Sequence, residues 1–206
     1  MRLSKDLKRF LTVFIAATLI FATVAYAQLT PRPREQFFQL YILGENRKIG
    51  DYYPNGDPNL PPGTDVKWYL GVINNMGSTQ YVMVKVKVGN RTMEPPNGEE
   101  ATPAQMPTII EYRRFLMDNE TFEAPLQWTV MDAEEAHGTV RLTKLKINNE
   151  TIPVQGVEAE KGENFRVVLE LWTYNPESGE FTFGWKSGGE RKAAWLQLWF
   201  NITATH

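Results

Sequence analysis

Apolar and polar positions alternate with a period of two along most of the chain beyond residue 36. In "VKWYLGVIN" (66–74), Val66, Trp68, Leu70 and Val72 share one face and Lys67 and Tyr69 the other. In "YVMVKVKVGN" (81–90), Val82, Val84, Val86 and Val88 face one way, and Lys85 and Lys87 point outward. Strict alternation predicts antiparallel strands with one face in a core. "NNMGSTQ" between the two supplies a turn.

The pattern recurs downstream. "NFRVVLELWTY" sets Val167, Leu169 and Leu171 against Val168, Glu170 and Trp172. "AAWLQLWFNIT" sets Leu196, Leu198 and Phe200 against Trp195, Gln197 and Trp199. Residues 37–43, closed by Gly44, "TIIEYRRFLM", "LQWTVM" (126–131) and "FTFGW" read as further strands. A hairpin is predicted around Asn148-Asn149. Loops dense in Pro, Gly and Asn separate them at 51–65 and 89–107. About seven to nine short strands at roughly ten-residue spacing predict an all-β, immunoglobulin-like antiparallel β-sandwich.

The first 27 residues follow another rule. Arg2, Lys5, Lys8 and Arg9 precede a stretch without charge from Phe10 to Ala27. This is the pattern of an export signal, and Ala25-Tyr26-Ala27 offers the small-x-small site for cleavage before Gln28. An uncleaved anchor fits equally, because 18 helical residues span roughly 27 Å, close to the thickness of a bilayer core. Both readings keep the basic end in the cytoplasm and place the rest outside, anchored to the cell membrane or secreted. The expected organisation is a signal peptide or single membrane anchor over 1–27, a Pro-containing stalk over 28–36 with Pro31 and Pro33, and a β-sandwich domain over 37–206.

Charge and composition narrow the function. Four of the 22 basic and one of the 24 acidic residues precede Gln28, so the remainder carries 18 against 23 and is acidic. An acidic surface repels phosphate backbones, so no nucleic-acid partner is expected. The chain has no cysteine, which excludes disulfides, thiol catalysis and thiolate metal sites.

"FFQLYILGENRKIGDYYP", a Pro/Gly loop and then "VKWYLGVINNMGSTQYVMVKVKVGN" resemble the exported domain of an archaeal and bacterial membrane family, domain of unknown function 1616. The ending "RVVLELWTYNPESGEF…AWLQLWFNIT" is similar to that family's closing hairpin, so the resemblance covers roughly residues 36–203. Longer members carry several membrane helices where this chain has one apolar segment, and "MDAEEAHGTVRLTKLKINNETIPVQG" is longer than the usual connection. The resemblance implies a fold and an extracytoplasmic location, and transfers no catalytic residue.

Four Asn-x-Thr sequons, at Asn90, Asn119, Asn149 and Asn201, mark candidate N-glycosylation sites in an exported chain, although Asn and Thr are also common in β-turns. Asp132, Glu134, Glu135 and His137 offer oxygen and imidazole ligands, but one His without a second cluster reads as a solvated turn, and no metal or other cofactor is expected. Trp172, Tyr174, Trp195 and Trp199 are a candidate binding face: an outward aromatic platform suits sugar rings or a protein partner. The competing expectation is that the 132–156 segment covers this face. The chain contains no G-x-S-x-G, H-E-x-x-H, P-loop or G-x-G-x-x-G motif. The expected function is therefore a non-enzymatic module for envelope assembly, adhesion or protein interaction, with the membrane engaged through residues 10–27 if these are retained. A carbohydrate-binding module is the alternative, and a small envelope hydrolase with unrecognised carboxylates a third.

Overall fold

The computed structural model describes residues 4–29 and 35–203. They fall into two compact units divided after Arg34. Most of the stalk, residues 30–34, lies outside the described residues, as do Arg2 and His206.

The first unit is one helix, α1 (Lys5–Leu29). Its length and mean hydropathy suffice to cross a membrane, and a signal sequence would meet the same test. Thr12, Thr18 and Thr23 donate their hydroxyls to carbonyls four residues back, so the helix hides its own polar side chains.

The second unit is a sandwich of two mainly antiparallel sheets. The first sheet contains β1 (Phe37–Leu43), β3 (Asp65–Asn75), β6 (Thr121–Ala136), β7 (Thr139–Ile147) and β8 (Glu150–Pro153), in that order, with β9 (Glu158–Glu160) also on β7. The second runs β2 (Asn59–Leu60), β14 (Trp195–Ile202), β10 (Phe165–Asn175), β4 (Gln80–Asn90), β5 (Thr108–Leu116), with β11 (Glu180–Phe183) also on β10. A small hairpin of β12 (Trp185–Ser187) and β13 (Glu190–Lys192) stands apart.

Between the sheets lies one core. Val66, Trp68, Leu70 and Val72 face Val82, Val84, Val86 and Val88 across it, together with Val167, Leu169 and Leu171. The alternation thus assigned the buried faces of these strands correctly. Buried Asn74 pins the β3–β4 turn to the β5–β6 turn: its amide donates to the carbonyls of Ser78, Leu116 and Met117 at 2.8–3.1 Å, and its oxygen accepts from Met76 N–H. Pairing every polar atom in this way is what makes a buried amide tolerable.

The loop between β1 and β3 folds back on the core. Tyr53 packs edge-on to Trp68, centroids 5.9 Å apart, and donates its hydroxyl to the Trp199 carbonyl at 2.6 Å. Burial pushes the Tyr53 phenol up, and does the same at Tyr112 and Tyr41. Phenols of an unfolded chain ionise near pH 10. Above that pH the unfolded chain has lost protons that the folded one keeps, so stability must fall as pH rises. We expect the melting temperature to drop once pH exceeds about 10, and the Tyr53→Phe variant to drop less steeply. Equal slopes in the two proteins would show that Tyr53 ionises normally.

Candidate functional site

Cross-strand register arranges the outer face of the second sheet in rows. Phe181 pairs with Tyr174 and Tyr81 with Phe115, so aromatic side chains from β11, β10, β4 and β5 line up at one end. The next row holds Trp172, Met83 and Arg113. Then come Trp195, Glu170, Lys85 and Glu111, followed by Gln197, Val168 and Lys87, and finally Trp199, Arg166 and Gly89. Period-two side-chain direction puts all of these on one face.

The two ends of this face differ. Toward the Trp199 end, residues 91–107 fold over β10 and β4, while Trp199 itself on β14 stays 38 % exposed. Ala104 and Met106 pack on Val168. Gly89 permits this approach, because a Cβ there would stand 2.5 Å from the Met106 sulfur. Lys87 and Glu170, both buried, form an ion pair at 2.9 Å beneath the loop. Lys87 Nζ also donates to the Ala104 carbonyl, and Glu170 accepts from Ala104 N–H and Trp172 Nε1–H. Lys87 is on the outer face, as the alternation predicts, but the loop seals it from solvent.

Arg166 lies beside this pair. It donates to Gln197 and to the Met93 carbonyl, and its guanidinium stands 5.0 Å from the Trp199 ring centre. Burial lowers its pKa from the ordinary value. The cover over this end is residues 91–107. Residues 132–156 instead belong to the opposite sheet, as the end of β6, β7 and β8, so the expected cover by that segment is overturned.

The other end is open. Tyr81 and Phe115 stack with centroids 4.1 Å apart and planes inclined by 8°. Tyr174 and Phe181 lean against Tyr81 at 5.7 and 4.9 Å. Phe115 is 66 % exposed, Met117 65 % and Tyr174 37 %. The Arg113 guanidinium sits 5.6 Å from the Phe181 ring and pairs with Glu111 at 2.7 Å. β5 is the edge strand of its sheet, so this aromatic row reaches the rim of the sandwich. A groove of about 580 Å³ runs beside Tyr174, between Gln80 and the β12–β13 hairpin with Lys186 and Arg191. A wider one of about 870 Å³ separates that hairpin from residues 94–99.

The four aromatics singled out in the sequence therefore share a face without forming one platform. Trp172 and Tyr174 belong to the open end, with Lys85 Nζ 4.0 Å above the Trp172 ring. Trp195 and Trp199 lie on the side where the loop packs, Trp195 close to Gly98. Tyr81, Phe115 and Phe181 complete the open cluster. Tyr81 gave a usable signal, since it alternates with the core positions Val82 and Val84 on its own strand, whereas Phe115 lies between exposed Arg114 and buried Leu116 and gave a weaker one.

The remaining candidates are dispersed. Asp132 pairs with Lys144 at 3.1 Å, and that ammonium holds its carboxyl below the usual range. Glu134, Glu135 and His137 lie exposed at the end of β6 and in the turn after it. Among the described residues, no group of three or more His, Asp or Glu is placed to hold a metal. Asn119 occupies the turn that crosses from β5 to β6 in the other sheet, Asn149 the β7–β8 hairpin turn, and both are exposed, with φ of 63° and 74°. Asn90 is buried, and Asn201 is half-buried on β14.

No family model matches the chain. Nor does any curated protein. Solved structures with a similar course of the chain include the CARDB domain of a Pyrococcus furiosus protein, with 10 % identity and a TM-score of 0.38, covering 82 % of this chain and 90 % of that one. The C-terminal domain of wzt has 7 % identity and a TM-score of 0.37, covering 85 % and 81 %. A β-glucosidase from Listeria innocua has 9 % identity and a TM-score of 0.36, covering 82 % of this chain but 16 % of its own.

Proposed function

We propose that this chain is a non-enzymatic, extracytoplasmic β-sandwich module that recognises a partner through the open aromatic row. The observation that carries this reading is the exposure of Phe115, beside Met117 and Tyr174, on a face whose middle, around Val168, the protein covers with its own loop. Exposed apolar clusters of this kind mark interaction sites. Glu170, the carboxylate buried most deeply on that face, is committed to Lys87, Ala104 and Trp172. α1 supplies the export signal or the tether, and the resemblance over residues 36–203 supports the same location.

A protein of the cell envelope is the partner we favour, because the aromatic row ends on an edge strand with Arg113 and Glu111 beside it. Aromatic and Arg side chains together typify the anchors of protein interfaces. The near-parallel Tyr81–Phe115 stack favours a second reading, a saccharide whose ring packs on an aromatic face.

A photo-crosslinking residue at position 115 should capture a defined partner on intact cells, whereas one at the exposed Glu150 of the opposite sheet should not. Phe115→Ser should weaken binding of that partner at least about tenfold, equivalent to about 1.4 kcal/mol. Its melting temperature should hardly change, because an exposed side chain contributes little to stability. Selective binding on a glycan array, lost in the same variant, would favour the saccharide. Unaltered capture and binding in Phe115→Ser would remove the aromatic row from consideration.

A further inference from the structure

We propose that Asn119 and Asn149 carry N-linked glycans in the folded protein and that Asn90 and Asn201 are bare. This rests on the extracytoplasmic location proposed above. All four residues begin an Asn-x-Thr sequon, so sequence alone treats them alike. The structure separates them.

Asn119 lies in the β5–β6 turn and Asn149 in the β7–β8 turn, both exposed. Asn119 donates its side-chain amide to Asp118, the half-buried neighbour in the same turn. The sequon threonines, Thr121 and Thr151, are exposed too. A glycan on either amide would therefore extend into solvent without moving the core.

Asn90 is the reverse. It is 6 % exposed, and its amide donates to the Glu158 carbonyl at 2.6 Å. Its oxygen accepts from Thr92 N–H, the Thr92 hydroxyl and Met93 N–H, so the sequon hydroxyl is consumed internally. A sugar added there would separate β4 from β9 and unseat the 91–107 loop, so folded molecules lack it whether transfer precedes or follows folding. Asn201 is clamped at both ends of its amide: Nδ2 donates to Asn59 and Oδ1 accepts from Asn164 N–H.

The donor class is a lipid-phosphate- or lipid-diphosphate-linked oligosaccharide. The asparagine Nδ2 forms a bond to the anomeric carbon, and the bond from that carbon to the phosphate oxygen breaks. The lipid phosphate departs with the bonding pair, and the amide gives up one proton. No change of oxidation state is involved.

The full chain, produced in a host whose secretory pathway glycosylates Asn-x-Thr sites, tests this. The protease-resistant exported fraction is deglycosylated enzymatically in heavy-oxygen water, which converts each formerly glycosylated Asn into labelled Asp. Label is expected at 119 and 149 and absent at 90 and 201. Thr121→Val and Thr151→Val should each abolish one site while keeping the turn asparagine and a strand-compatible side chain. Thr121→Ser and Thr151→Ser should retain it. These pairs tell a glycan acceptor from a residue present only to make a turn. Label at Asn90 in the folded fraction overturns the proposal. So do bare Asn119 and Asn149 on a chain that surface proteolysis shows to be outside the cell, a result that leaves the location intact. A chain protected in the cytoplasm overturns both.

Discussion

Replacing Lys87 with methionine should cost about 3–5 kcal/mol of folding stability, because it strands the Glu170 carboxylate beneath the 91–107 loop. Solvent does not screen this pair, since both partners are buried. Glu170→Leu should cost a similar amount by leaving the buried Lys87 ammonium without its counter-charge, held by the Ala104 carbonyl and the Trp172 ring. Combining the two changes removes both charges, and the double variant should be markedly more stable than the sum of the single losses implies. It should still fall short of the parent, because Ala104 N–H and Trp172 Nε1–H lose their shared acceptor. Urea unfolding of all four proteins checks this. Additive losses would mean that water reaches the pair and that the loop does not seal it.

Trp68→Ala should be comparably severe. Its ring is fully buried between Tyr53 and Trp128, with the Trp128 centroid 5.2 Å away. Its indole N–H donates to the Tyr52 carbonyl, tying the 51–58 loop to the core. Truncation opens a cavity and releases that loop, for a loss of about 3–5 kcal/mol. Trp68→Phe should lose less, since it refills part of the volume. Thermal unfolding of the two variants provides the comparison, and a Trp68→Ala protein that melts like the parent would place this ring outside the core.

Most of the sandwich was legible because period-two alternation reports burial directly. Val66 to Val72 and Val82 to Val88 needed nothing further. Other features depend on contacts between residues far apart in the chain. The alternation gives Lys87 its face, but it says nothing about a Pro-rich loop returning to cover that face. Residues 132–156 read as an added cover, yet their Val140, Leu142, Leu145 and Ile147 are core residues of the first sheet. The same limit applies to the candidate site. Trp172 and Tyr174 stood out as large aromatics, whereas the row that joins Tyr174 to Phe181, Tyr81 and Phe115 exists only once four strands are in register.

The short parallel pairing of β2 with β14 also bears on the order in which the sandwich can close. Asn59 and Leu60 lie in register with Asn201 and Ile202, the Pro58 and Leu60 carbonyls accept from Asn201 and Thr203 N–H, and the Asn59 and Asn201 side chains meet across 142 positions of chain. β14 lies between β2 and β10, and it brings Phe200 and Ile202 into the core. A nascent chain lacking β14 therefore has a sheet with a missing inner strand and an unfilled interior. Closure over such long separations is slow compared with local structure. The pairing of β14 with β2 and β10 therefore works as a latch: the sandwich interior is complete only when this strand is in place.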